Sequence, residues 1–296
     1  MARSPAHQFG QNLGKFVENV VLNHILKPRL QEFTESQNYY LDWQRNRTAR
    51  QGKKVTWKDR HGNKHDLDFV IEIDGTEDEI GKPIAFIEAA WRRYTKHSKN
   101  KAQEIQGSVL PIIEYHKLSA PFYGVVLAGK FTQPALQQLE NNGFSVIYIP
   151  YEAVITAFRE IDFDIAFNEE TVGKSYTIAV EKLKNLRISE QEKIKEHLIK
   201  NSQDQIAQDQ IDRFMDRLQA VLKRYIVKIS LIPLFGKKYE FEAIDNILID
   251  LEQLDFFNPE GEFERFKVTI DYSNGDIIRA TFREKRQLIQ FLEQLK

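Results

Sequence analysis

Cysteine is absent from the 296 residues, and its absence excludes disulfide bridges, thiolate zinc centres and cysteine nucleophiles together. Any metal must sit on oxygen or imidazole. Long apolar runs are missing as well: no stretch approaches the roughly 18 residues of a membrane span. Residues 1–10 lack the apolar core of a secretory signal. The expectation is a protein with no membrane partner, working in a reducing, cytoplasmic compartment. There is no Gly-rich phosphate cradle, no nucleophile elbow and no His-Glu zinc pattern, which disfavours an NTPase, a serine hydrolase and a zinc protease. Net charge is nearly absent too, at -1.

Charge is instead segregated along the chain. Between residues 45 and 64 the cations Arg45, Arg47, Arg50, Lys53, Lys54, Lys58, Arg60 and Lys64 are opposed by Asp59 alone, with Trp43 and Trp57 close by. A second group, Arg92, Arg93, Lys96, Lys99 and Lys101, contains no acid, whereas residues 240–264 are rich in carboxylates. A polyanion suits the front of the chain and not its end.

Leu13, Phe16, Val17, Val20, Val21 and Ile25 recur at helical spacing, predicting an amphipathic helix over residues 10–35, broken near Pro28. Residues 67–73 read as a strand with Asp66 and Asp68 at its start, and residues 84–91 as a buried strand with Glu88 near its end. A helix over residues 99–115 follows, then strand 123–128, helix 133–141 and strand 144–149, an order that implies a right-handed parallel crossover. Residues 1–175 are therefore read as one α/β domain.

Residues 176–222 read as a helical connector in which Ala207, Ile211, Phe214, Leu218 and Val221 repeat at coiled-coil spacing. That seam would serve a homodimer, or it packs on its own domain. Residues 223–296 read as a small α+β domain with strands at 226–232, 239–243, 247–251, 266–272 and 277–282 and a closing helix, 283–295. The turn Ser273-Asn274-Gly275-Asp276 is a strong hairpin signal. No internal repeat is evident. This acid-rich domain is read as regulatory or as the seat of a protein partner.

An acid inside an apolar strand, such as Glu88, is costly unless paired or metal-bound. Strand alternation puts Asp66 and Asp68 on one face, and Phe86, Glu88 and Ala90 on one face of the next strand. If the two strands pair, a carboxylate cluster arises. Phosphodiester hydrolysis needs a water made nucleophilic at neutral pH and a way to spread charge over phosphate oxygens, and carboxylate-bound Mg²⁺ supplies both. His65 and His97 are weaker candidates as general bases.

The helix bearing Gly14 and Glu18, the strand His65-Asp66-Leu67-Asp68-Phe69-Val70, the strand Phe86-Ile87-Glu88-Ala89-Ala90, the basic helix and the strand-helix-strand after it, in that order, resemble the PD-(D/E)XK nucleases. Many type II restriction endonucleases belong to that superfamily. The resemblance implies an α/β fold, a restriction-endonuclease-like mixed sheet sandwiched by helices. It also implies an endonuclease dependent on Mg²⁺, or Mn²⁺ in its place, that cuts double-stranded DNA in a restriction system to 5′-phosphate and 3′-hydroxyl ends. By position Asp68 and Glu88 would bind metal, with Glu18 assisting and Asp66 the alternative to Asp68. Arg45, Arg47, Lys53, Lys54, Arg92, Arg93 and Lys96 would meet DNA. Where the family has lysine this chain has Ala90. Lys99, Lys101 and Arg92 are the candidates to replace it, and a nuclease-fold DNA-binding or regulatory subunit without cleavage is the alternative.

Overall fold

Residues 84–87 are apolar without alternation, the pattern of a strand covered on both faces, and the computed structural model buries all four. The structure describes residues 4–50, 52–95, 98–167, 171, 173–200, 206–235, 239–254 and 262–295. The chain divides into two units, residues 1–115 with 122–217, and residues 116–121 with 218–296.

The first unit is α/β, built on a mixed five-stranded sheet in the order β1 (Tyr40–Trp43), β4 (Phe69–Ile73), β5 (Lys82–Arg92), β6 (Phe122–Gly129), β7 (Ser145–Pro150). A hairpin of β2 (Val55–Lys58) and β3 (Lys64–Leu67) forms its own small sheet. Strands β1, β4 and β5 pair antiparallel, whereas β5, β6 and β7 are parallel. Parallel neighbours need crossovers, and α3 (Ser98–Tyr115) and α4 (Gln133–Asn141) stand in those places. They cover one face, where Ala102, Ile105, Val109, Leu136 and Leu139 meet Val70, Phe86 and Ala90. On the other face Trp91 packs beside Gly14 of α1 (Pro5–Val20) and Tyr151 of α5 (Tyr151–Arg159).

The helix expected over residues 10–35 is divided into α1, a π-helical turn (Val21–Leu26) and α2 (Lys27–Gln37). Pro28 lies at the start of α2, because its ring crowds the carbonyl four residues back and only a first turn tolerates it.

The expected connector is part of the first unit as far as Arg217. Helix α6 (Gly173–Lys184) packs on α1, and α7 (Ile188–Lys200) on α5. In α8 (Ile206–Leu222), Ile211 and Phe214 are 1% exposed, and Phe214 meets Phe122 edge-on with ring centroids 5.2 Å apart. Those two seam residues are covered by their own chain.

Part of the basic run of residues 45–64, namely Arg45, Arg47, Arg50 and Lys54, is answered by acids that lie outside the run, which a count within it misses. Arg47, read as a DNA contact, is 3% exposed. It makes a two-pronged pair with Glu72 (2.9 and 3.0 Å), bonds Asp42 (2.9 Å), and donates to the Thr76 and Glu79 carbonyls (both 2.7 Å). Arg50 takes the other side of Asp42. Arg45 pairs with Glu77 at 2.6 Å and stacks on Trp43. Lys54 pairs with Asp66, and Lys53 is exposed.

The second unit carries an antiparallel sheet in the order β11 (Ile277–Phe282), β10 (Phe266–Tyr272), β8 (Ile226–Pro233), β9 (Tyr239–Phe241). Helices α9 (Ile244–Gln253) and α10 (Lys285–Glu293) supply Ile247, Leu251, Leu288 and Leu292 to its core. Residues 247–251, expected as a strand, belong to α9: Ile244, Ile247 and Leu251 are buried at helical spacing while Ile249 is 59% exposed. The hairpin turn is where it was expected, with Gly275 at φ 88°. The unit repeats strand, strand, helix twice. Phe241, Ile247, Leu251 and Leu254 recur in step as Phe282, Leu288, Leu292 and Leu295, an internal repeat too divergent to see until the elements are aligned.

Candidate carboxylate centre

Strand β4 pairs with β5 through Phe69 opposite Ile87 and then stops. The chain bends at Asp68, so β3 and β4 are separate strands in separate sheets. Extending the β4–β5 register by one residue sets Asp68 against Glu88. Alternate N–H groups of a strand point to the same edge, so those of Ala89 and Trp91 lose their backbone partner where β4 ends. Carboxylates take them instead. Asp68 Oδ2 accepts from Ala89 N at 2.7 Å, and Glu18 Oε1, from α1, accepts from Trp91 N at 3.2 Å.

The carboxyl groups of Asp68 and Glu88 are close enough to interact. Two carboxylates so placed cannot both stay ionised cheaply, which favours one proton between them. Burial, then the Asp68 charge, pushes the Glu88 carboxyl up to about 9. Burial raises the Asp68 pKa as well, and that of Glu18 is raised by burial and then by Asp68. The Asp68 charge thus acts on both Glu88 and Glu18, and each of the three acids remains partly exposed.

Lys101, on the first turn of α3, is the cation whose charge reaches all three. It is held by Glu104 at 2.7 Å. Lys99 is exposed. Arg92 reaches Glu18 electrostatically and lies 3.6 Å from Glu104. Glu104 was not expected; its place one turn beyond Lys101 was the available signal. Ala90, 2% exposed among Phe86, Ala102 and Ile105, has no room for a lysine.

Three expected assignments are corrected. Asp66 is apart from the centre, bonded to Lys54 (2.5 Å) and Thr56 (2.7 Å) on the hairpin, because the bend at Asp68 ends the alternation that put both on one face. Arg93 is 6% exposed, stacked among Phe9, Tyr94 and Tyr176, and bonds the Phe167 carbonyl and Tyr176 hydroxyl. Arg47 is the buried ion pair already described. His65 is bonded to Asp59 at 3.1 Å, which closes the hairpin turn. Lys96 and His97 lie outside the described residues.

Among the described residues, no three His, Asp or Glu side chains stand close enough together to hold an ion unaided. The donor chemistry nevertheless fits a hard divalent cation, which needs few carboxylates because it retains waters. A buried pair bound by a shared proton is the arrangement such an ion replaces.

Because Glu88 binds its proton more tightly folded than unfolded, it stabilises fully below the ordinary carboxylate pKa, and that contribution is lost as pH rises toward about 9. Without metal, Glu88→Gln is expected to be more stable than wild type by an amount that grows from about pH 5 to about pH 8, reaching roughly 3 kcal/mol at neutrality. Urea unfolding at several pH values measures it; a difference that stays flat with pH contradicts the shared proton.

Comparison with protein-family models and with curated proteins finds no match. Among solved structures, that of a protein of unknown function, AF1548, is similar over 66% of this chain and 97% of that one, at 11% identity and a TM-score of 0.27. A likeness that slight assigns neither fold nor function. Among the described residues no helix is long and apolar enough to cross a membrane.

Proposed function

We propose that the first unit is a PD-(D/E)XK-type nuclease, restriction-endonuclease-like in fold, that hydrolyses phosphodiester bonds of double-stranded DNA to 5′-phosphate and 3′-hydroxyl ends. The observation that carries this reading is the pairing of Asp68 with Glu88 where β4 leaves β5, with Glu18 within reach of the Asp68 charge and Lys101 acting on all three. Asp68 and Glu88 would hold the metal, with Glu18 beside them. When bound, Mg²⁺ or Mn²⁺ supplies Lewis acidity toward water and phosphate oxygens.

The chain's own residues do the rest. Ala89 N–H orients Asp68, and Trp91 N–H orients Glu18. The Lys101 ammonium donates to the attacking water and offsets charge on the phosphate, the part the superfamily gives to the lysine replaced by Ala90. Glu104 positions Lys101. Lys53, Lys99 and Arg92 remain as cations for the DNA backbone.

Purified protein with Mg²⁺ is expected to nick or linearise plasmid DNA, and Lys101→Ala to slow this by about a hundredfold, the usual worth of one well-placed donor. Ala90 favours a second reading, a DNA-binding subunit that does not cut. Retention of DNA with no cleavage in Mg²⁺ or Mn²⁺ would select it. Neither cleavage nor salt-sensitive DNA binding would overturn both.

A further inference from the structure

The hairpin of β2 and β3 is fixed on one face and bare on the other. The cross-strand pairs Val55–Leu67 and Trp57–His65 alternate with Thr56–Asp66 and Lys58–Lys64, so the two sets point to opposite sides. Val55 and Leu67 are buried, and Trp57 stands edge-on to Phe86 of β5 with ring centroids 5.8 Å apart. Thr56, Lys58, Lys64 and Asp66 are exposed.

The turn is held as firmly. Asp59, itself 5% exposed, accepts from the backbone N–H groups of His61 (2.8 Å) and Asn63 (3.0 Å) and from Asn63 Nδ2 (2.9 Å), and its Oδ2 lies 3.1 Å from His65 Nε2. The carboxylate of the turn is therefore engaged within the turn. What faces outward is cationic: Lys58, Arg60 and Lys64 are exposed, and none of them has an acidic partner among the described residues. Lys58 and Lys64 stand directly opposite each other on one face, an arrangement that costs stability unless an anion offsets it. Arg60 donates from Nε to His61 Nε2 at 2.9 Å, which steadies the guanidinium and leaves both Nη groups for a ligand.

A two-stranded ribbon is what the major groove of B-DNA admits, and this one ends in unpaired cations on a preorganised turn. Lys64 precedes Asp68 by four residues, about 13 Å along a strand, so a duplex seated at the carboxylate centre passes within reach of the turn. The two free Nη groups of an arginine match the O6 and N7 acceptors that guanine presents side by side in that groove. We propose that the β2–β3 hairpin enters the major groove beside the scissile phosphate and reads a guanine there through Arg60, with Lys58 and Lys64 against flanking phosphates. The inference rests on the nuclease reading for its duplex substrate and makes the hairpin the sequence-reading element of that site.

In the test, the full chain selects from short duplexes with a randomised centre, in EDTA so that nothing is cut, and the bound pool is sequenced. Wild type is expected to enrich guanine at a fixed position, and Arg60→Ala to lose the preference at that position alone with unchanged melting. The enriched duplex is then remade with 7-deazaguanine there, which removes the N7 acceptor from the major groove. Wild type should bind it about tenfold more weakly, and Arg60→Ala as it binds the natural duplex. Lys58→Ala and Lys64→Ala should weaken binding to every duplex alike and flatten its salt dependence. The proposal is overturned by no enrichment, by the same enriched sequence with Arg60→Ala, by indifference of wild type to 7-deazaguanine, or by wild-type affinity in both lysine variants. Plasmid cleavage is scored separately: cutting with an unaltered preference in Arg60→Ala sinks the groove reading alone, and a lost preference with no cutting sinks the nuclease alone.

Discussion

Asp68→Asn is expected to lower Mg²⁺-dependent DNA cleavage by at least about a thousandfold, because the metal's share of charge stabilisation is worth several kcal/mol and each 1.4 is roughly tenfold. The substitution keeps the side chain's shape and an oxygen that can still accept from Ala89 N–H, so the bend between β3 and β4 has no reason to change. What it removes is the charge that shares a proton with Glu88 and raises the Glu18 pKa. Stability without metal should therefore hold or rise while activity disappears. A nicking assay paired with a melting curve reads both quantities. Cleavage within tenfold of wild type by a folded Asp68→Asn protein removes Asp68 from the chemistry; a parallel loss of folding and cutting makes its role structural.

Arg47→Ala is expected to destabilise the first unit by about 3–5 kcal/mol, the usual cost of removing one partner from a buried ion pair. Burial alone would lower the guanidinium pKa, but the bonds to Glu72 and Asp42 more than offset it and hold it above its ordinary value. Those two acids are 0% and 2% exposed at the side chain, so without Arg47 two carboxylates remain in the interior, one of them still paired with Arg50. The loop carbonyls of Thr76 and Glu79 lose their donor too. Urea unfolding measures the loss, and a change below about 1 kcal/mol would mean that water replaces the guanidinium. DNA affinity per folded molecule should stay the same, in contrast to a backbone contact.

Much of the architecture was legible because it depends on local pattern. The apolar run before Glu88, the strand-helix-strand that follows and the Asn-Gly hairpin near the end each carry their own period or turn chemistry, and each forms. Where local pattern is ambiguous, the reading failed in a physical way. Four apolar residues among 247–251 suit a strand as well as a helix until Ile244, outside that window, supplies the helical spacing. Alternation could carry Asp66 and Asp68 to one face only if the strand ran straight, and the bend at Asp68 divides it between two sheets.

By itself the sequence determined that an acid must lie within a buried strand and that no lysine follows it at the usual spacing, since both are matters of residue order. Only the tertiary structure decided which charges meet. Electrostatic partners are chosen through space: β1 and β4 bring Asp42 and Glu72 to Arg47, and α3 carries Lys101 back over the end of β5. One set of basic residues thereby became internal structure, and one lysine became the cation of the carboxylate centre.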